Sequence, residues 1–175
     1  FHRAAPHGTG NAKAIGNYAA SLFPLKLAKE TGFDEVLYLH AADETQLEEV
    51  GSANVFIVKD NVIKTPRLSG SILPGITRNS VIRIARDILK LEVEETEITI
   101  KDLLAADEAF CTGTAVVVTP IGNITVEEDA HSISGGGEGK ITAQLRKEIV
   151  GIQREERDDP FCWVHPVDKE SNDEK

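Results

Sequence analysis

Short strand-like runs and helical runs follow one another along this 175-residue chain without a strict strand–helix alternation, and that order limits the fold more than any single residue does. Val36 to Leu39 and Val55 to Val58 read as strands, and the second joins Val62-Ile63 through Lys59-Asp60-Asn61, a hairpin turn. Ala14 to Thr31 places Tyr18, Leu22, Leu25 and Leu27 at helical intervals, with Gly32 as the stop and Pro24 as a potential kink. An amphipathic helix is expected from Arg78 to Leu89, a strand over Val93 to Ile98, and a short helix opened by Thr99 and Asp102 and ending near Ala106. Glu108 to Cys111 and Ala115 to Val118 flank a Thr-Gly-Thr turn. Ile121 to Val126 is a weaker strand, Ser132 to Gly139 a glycine-dense loop, and Lys140 to Glu155 a final helix. Such a mixture argues for an α+β domain with a mixed sheet or barrel and against a Rossmann fold.

A hydrophobic share of 41% beside 27% charged residues is the composition of a soluble globular chain with a substantial core. With 29 acidic against 19 basic side chains the net charge is −10, which disfavours nucleic acid and anionic lipid as partners. No apolar run approaches a membrane span, and Phe1 to Pro6 is unlike a secretion signal. Two cysteines, Cys111 and Cys162, lack a disulfide framework and read as reduced thiols of a cytoplasm or organelle matrix. The five histidines show no metal-ligand spacing, so no metal site is expected. No methionine occurs, and the start at Phe1 reads as mid-sequence. The acidic stretch Asp168 to Lys175 is expected to be a disordered tail.

Chemistry is concentrated near the start. Gly8-Thr9-Gly10-Asn11-Ala12-Lys13-Ala14-Ile15-Gly16-Asn17-Tyr18 sets one lysine and one phenol among small residues that let other groups approach. A lysine there suits Schiff-base chemistry with an aldehyde cofactor, and the Tyr18 phenol, five positions later at near-helical spacing, can reach the same cofactor. A solvated lysine at a helix start is the plain alternative. Further on, Leu73-Pro74-Gly75-Ile76-Thr77 presents free amides at a helix amino terminus, an anion site in which Gly75 permits close approach. Thr77 is equally an N-cap and nothing more.

The lysine segment, Glu48-Glu49-Val50-Gly51-Ser52-Ala53-Asn54-Val55-Phe56, Leu73-Pro74-Gly75-Ile76-Thr77-Arg78 and Cys111-Thr112-Gly113-Thr114-Ala115, in this order and spacing, resemble the branched-chain amino acid aminotransferases. Gly151-Ile152-Gln153 and Trp163 resemble the end of the same family. The resemblance implies the large cofactor-binding domain of a fold-type IV enzyme, a mixed sheet or pseudo-barrel flanked by helices over residues 1–167, with pyridoxal 5′-phosphate as cofactor. It implies that Lys13 holds the cofactor covalently and acts as general base, that Glu49 faces the pyridine nitrogen, and that Tyr18 hydrogen-bonds the cofactor's phenolic oxygen. Glu48 and Glu49 point to opposite faces of an extended segment, so only Glu49 serves. Gly75, Ile76, Thr77 and Thr114 would hold the phosphate, and the amides of Thr114 and Ala115 the substrate carboxylate, with Gly113 allowing that turn.

The implied reaction is transfer of the amine of leucine, isoleucine or valine to 2-oxoglutarate, giving glutamate, in a homodimer. The family's amino-terminal small domain has no counterpart here, nor does the arginine that completes the phosphate site, so the chain reads as most of a large domain without its first strand. Val116 and Thr119 stand where the animal members carry a Cys-x-x-Cys pair, which rules out thiol switching there. Two alternatives stay open: a D-amino acid transaminase or aminodeoxychorismate lyase of the same fold, and a non-catalytic domain that binds only cofactor or a partner.

Overall fold

The computed structural model describes residues 1–165 and 167; the expected tail, 168–175, lies outside them. Helix α1, Ile15–Glu30, follows the glycine-rich segment and carries Pro24 in its interior. Strands β1 (Leu37–His40), β2 (Asp43–Val50), β3 (Ala53–Lys59) and β4 (Val62–Pro66) come next in antiparallel succession. The β3–β4 turn forms where expected, with Asp60 and Asn61 both left-handed at φ 51° and 65°. Helix α2, Ile76–Arg83, runs into a π-helical turn over Ile84–Ile88, and β5 (Val93–Thr96) returns parallel to β4. Helix α3 (Ile100–Leu104) starts at a reciprocal cap between Thr99 and Asp102.

Strand β6 (Glu108–Gly113) lies antiparallel along β3 and turns into β7 (Val117–Pro120). Among the described residues these seven strands make one mixed sheet, while β8 (Asn123–Val126) and β9 (Asp129–Ser132) form a separate hairpin. A short 3-10 turn over Ser134–Gly136 leads to helix α4, Lys140–Gln153. The sheet is open, so the α+β architecture stands without a closed barrel. No helix of the described residues is long and apolar enough to cross a membrane.

Strand β3 is the centre of the sheet. Ala53 to Val58 are all buried, as a strand covered on both faces requires. Its alternating side chains feed two cores. Phe56 and Val58 pack with Val81, Ile84, Leu145 and Ile149 of the helices, whereas Val55 and Ile57 pack with Leu47, Ile98, Leu103 and Cys111. Phe56 and Phe110, cross-strand partners, stack with centroids 4.9 Å apart. Cys111 is buried and free, as its strand position implied, and burial pushes its thiol up to about 11.

One expectation needs correction, and two features were not foreseen. The α1 stripe is largely uncovered, for Leu22 and Phe23 are 66% and 56% exposed and only Pro24 is buried. Strand β7 begins at Val117 and not Ala115: Val117 takes the left-handed conformation, φ 52°, and Gly113 ends β6, so the turn is Thr114 to Val116. Helix α4 begins where expected but by an unforeseen device, since the Glu108 carboxylate of β6 accepts the amides of Ile141 and Thr142 at 2.9 and 2.8 Å. Phe110→Ala is expected to lower stability by about 3–5 kcal/mol in urea unfolding through loss of the stacked pair; a loss under about 1 kcal/mol would mean that Phe110 is not packed against Phe56 in the helix-covered core.

Candidate active site

The end of β2 carries two consecutive buried carboxylates, Glu48 and Glu49. Both turn to the loop before α2. Glu48 accepts the Ser71 hydroxyl, and Oε1 of Glu49 accepts the Leu73 amide at 2.5 Å and the Asn54 side-chain amide at 3.2 Å. Oε2 of Glu49 faces Nε of Arg3 at 3.1 Å. Burial pushes the Glu49 carboxyl up to about 7, against the Arg3 guanidinium and the Leu73 amide, which pull it down.

The lysine segment reaches the same loop by backbone packing. Asn11 donates its amide to the Gly70 carbonyl at 3.2 Å, and a Cβ on Gly10 would strike the carbonyl of Ser71. Asn17 steadies the turn from α1, its side-chain amide donating to the carbonyls of Thr9 and Ala12 at 2.7 and 2.9 Å. Lys13 follows that turn, two residues ahead of α1, with its side chain exposed and no ion pair or side-chain hydrogen bond among the described residues. Tyr18 is half-buried on α1, beside a cleft of about 180 Å³ shared with Leu25, Glu35, Gly51 and Ser52.

At the anion turn the N-cap of α2 is Gly75, which corrects the reading of Thr77 as a cap. A glycine offers no side-chain acceptor, so the amides of Ile76 and Thr77, the first and second helical residues, are left without a side-chain cap. Gly75 is required there because a Cβ would run into Oδ1 of Asn54. Asn54 in turn donates to the Leu73 carbonyl at 2.9 Å and pairs in register with Thr112 of β6. Thr114 and Ala115 lie exposed in the β6–β7 turn, next to the β2–β3 turn at Ser52 and Ala53.

Asn54 and Ser69 to Leu73 thus gather three features that are far apart in sequence: the turn that carries Lys13, the Glu49 carboxylate and the Gly75 turn. The donor set suits the cofactor implied by the resemblance: an exposed amine, a carboxylate for a ring nitrogen, uncapped amides for a phosphate. The buried Thr112 hydroxyl, without a partner among the described residues, adds a free polar group on the same side. A larger cleft of about 320 Å³ opens along α2 between Leu68, Arg83 and Glu95 and includes Gly75 and Ile76, but neither Lys13 nor Glu49. Among the described residues no cluster of His, Cys, Asp and Glu is suited to a metal ion.

Sequence reasoning passed over Arg3, Asn17 and Asn54. Arg3 read as part of a terminus, and Asn17 and Asn54 as members of motifs without roles of their own. Their signal was polarity inside glycine-rich or strand segments, where a buried polar side chain must be hydrogen-bonded.

The pattern of the amino-transferase class IV family matches residues 2–124. Branched-chain-amino-acid aminotransferase 5, chloroplastic, of Arabidopsis thaliana is 48% identical over 164 residues, covering 94% of this chain and 39% of the relative. The structure of the branched-chain amino acid aminotransferase of Escherichia coli superposes with a TM-score of 0.86 at 34% identity, covering 97% of this chain and 55% of that one. That of Thermobaculum terrenum, in its PLP form, superposes with a TM-score of 0.77 at 34% identity over 86% of this chain and 48% of that one. The chain therefore spans about half the length, or less, of these relatives.

The raised Glu49 gives a pH signature. Its folded value of about 7 exceeds the ordinary 4.5, so between these values the folded chain holds a proton that the unfolded chain releases. Its contribution to stability is therefore lost as pH rises from 4.5 to about 7 and is constant above. The stability difference between wild type and Glu49→Gln, from urea unfolding at a series of pH values, is expected to move against wild type across that window; parallel curves would disprove the raised value.

Proposed function

The chain belongs to the class IV amino-transferases, and from that membership we propose that it is the cofactor-binding large domain of a pyridoxal-phosphate-dependent branched-chain amino acid aminotransferase. The domain spans residues 1–167, and the remaining length of the relatives corresponds to a small domain that closes the site. Leucine, isoleucine and valine are the amino donors and 2-oxoglutarate the acceptor. What supports this reading above all is that the Lys13 turn, Glu49 and the Gly75 turn meet on one loop although they are spread over more than sixty residues.

Pyridoxal phosphate, when bound, supplies the electron sink that lets an amino group leave one substrate and enter the next. The chain's own groups do the rest. Nζ of Lys13 anchors the cofactor and carries the proton to and from the substrate α-carbon, a role for which its exposed, unpaired amine is free. Glu49 meets the ring nitrogen and, as an anion, keeps it protonated. Tyr18 orients the ring from α1. The amides of Ile76 and Thr77, released by the glycine cap at Gly75, take the phosphate at the positive end of α2, and the Thr114 hydroxyl joins them. The amides of Thr114 and Ala115 receive the substrate carboxylate.

The assembly proposed is a homodimer, in the cytoplasm or an organelle matrix. The exposed Leu22 and Phe23 of α1 are consistent with a surface that a partner covers. Mass spectrometry after pyridoxal phosphate and borohydride is expected to show one adduct, on Lys13, and none on Lys13→Ala. The same substitution should slow amino transfer from L-leucine by a factor of at least about 10²–10⁴. A folded protein without the adduct, or with it elsewhere, would refute the role of Lys13. Turnover of D-alanine without any of L-leucine would replace the substrate.

A further inference from the structure

We infer that Arg3 is a positioning residue of this site: its guanidinium is the counter-charge that favours the ionised form of the Glu49 carboxylate while tying the lysine-bearing segment to the loop on which that carboxylate rests. The inference builds on the function proposed above, since a charged carboxylate matters only where a ring nitrogen meets it.

Arg3 is 4% exposed and Glu49 2%. A guanidinium so far from water needs a counter-charge and carbonyl acceptors, and Arg3 has both. Its Nε lies 3.1 Å from Oε2 of Glu49, while one terminal nitrogen donates to the Gly10 carbonyl at 3.2 Å and to the carbonyl of Ser71. Gly10 precedes Lys13 by three residues, and Ser71 precedes by two the Leu73 whose amide holds Oε1. One guanidinium therefore hydrogen-bonds the lysine turn and the loop through its terminal nitrogen and faces the carboxylate as a counter-charge, its Nε in ion-pair contact but without a hydrogen bond.

Electrostatics points the same way. The charged groups that face Glu49 are Arg3 from the amino-terminal segment, Glu48 from its own strand and Arg78 from α2. Burial and Glu48 favour the protonated carboxyl, whereas Arg3 opposes them more strongly than Arg78 does. Arg78 is drawn away, its guanidinium donating to the Pro66 carbonyl and to Glu95, both at 3.0 Å. Without the Arg3 charge the equilibrium moves further toward the neutral carboxyl, the form that cannot balance a protonated ring.

The test is an infrared titration of Glu49 in the cofactor-free protein, with the carboxyl band assigned by difference from Glu49→Gln. Arg3→Gln, which keeps donors but removes the charge, is expected to raise the midpoint by about one unit or more. Arg3→Lys, which restores the charge without the fork, should fall between Arg3→Gln and wild type. A midpoint in Arg3→Gln equal to that of wild type overturns the inference, as does Arg3→Lys behaving like Arg3→Gln. Should Arg3→Gln fail to fold, the wild-type Nε–H resonance of Arg3 decides, for it should follow the Glu49 midpoint, and a resonance flat through that titration overturns the inference. Coupling seen in a protein that binds no cofactor would uphold the ionic role of Arg3 and remove the functional reading instead.

Discussion

A carboxylate taken out of water must be surrounded by donors or give up its charge. Glu49 meets that requirement by drawing on three remote segments: Arg3 near the start, Asn54 across the β2–β3 hairpin, and the Leu73 amide before α2. Arg3 carries the same demand in reverse and settles it with Glu49 and two carbonyls. The segments could not separate without stranding a buried charge, a change that costs several kcal/mol, about 3–5 for a typical buried pair. Local structure around the site follows from this mutual dependence more than from the propensity of any one segment.

Close packing extends the constraint to the backbone. At Gly10 a side chain would collide with the Ser71 carbonyl, so the lysine turn lies against the loop backbone, and at Gly75 it would collide with the Asn54 side chain, so the anion turn lies against the polar end of β3. The central strand β3 provides the rigid floor, being buried on both faces and flanked by β6 along most of its length. Asn54 sits where floor and site meet, on β3 by its backbone and within the polar network by its side chain. A rigid sheet carrying catalytic groups on adjoining turns is a common way to fix geometry while leaving the reacting groups accessible.

What could be read in advance was whatever depends on neighbours in sequence. The Asp60-Asn61 turn, the Thr99–Asp102 cap and the apolar run of β3 all declare themselves locally. Strand β2 did not, because Asp43 to Glu49 is mostly polar, and its burial is compensated by Ser71, Arg3 and Asn54, which lie elsewhere in the chain. For the same reason Arg3 passed as a terminal residue. The plain alternative for Thr77, a helix cap, does not hold, because the chain caps α2 with a glycine and leaves the first amides without a side-chain cap. The apolar stripe of α1 was legible as periodic but its exposure was not, since periodicity marks a face and not what covers it. Three of the family motifs, those with Lys13, Glu49 and Gly75, are segments that the structure brings together on one loop.

The whole account comes down to whether Lys13, Glu49 and the Gly75 turn act on one bound molecule. The direct measurement is the absorption spectrum of the protein with pyridoxal phosphate, first alone, then with L-leucine, then with 2-oxoglutarate. A visible band that forms on binding, disappears with L-leucine and returns with 2-oxoglutarate is the expected result. A band indifferent to L-leucine would mean an isolated cofactor-binding domain, and no band in a folded protein would contradict the proposal that these three features act on one bound cofactor.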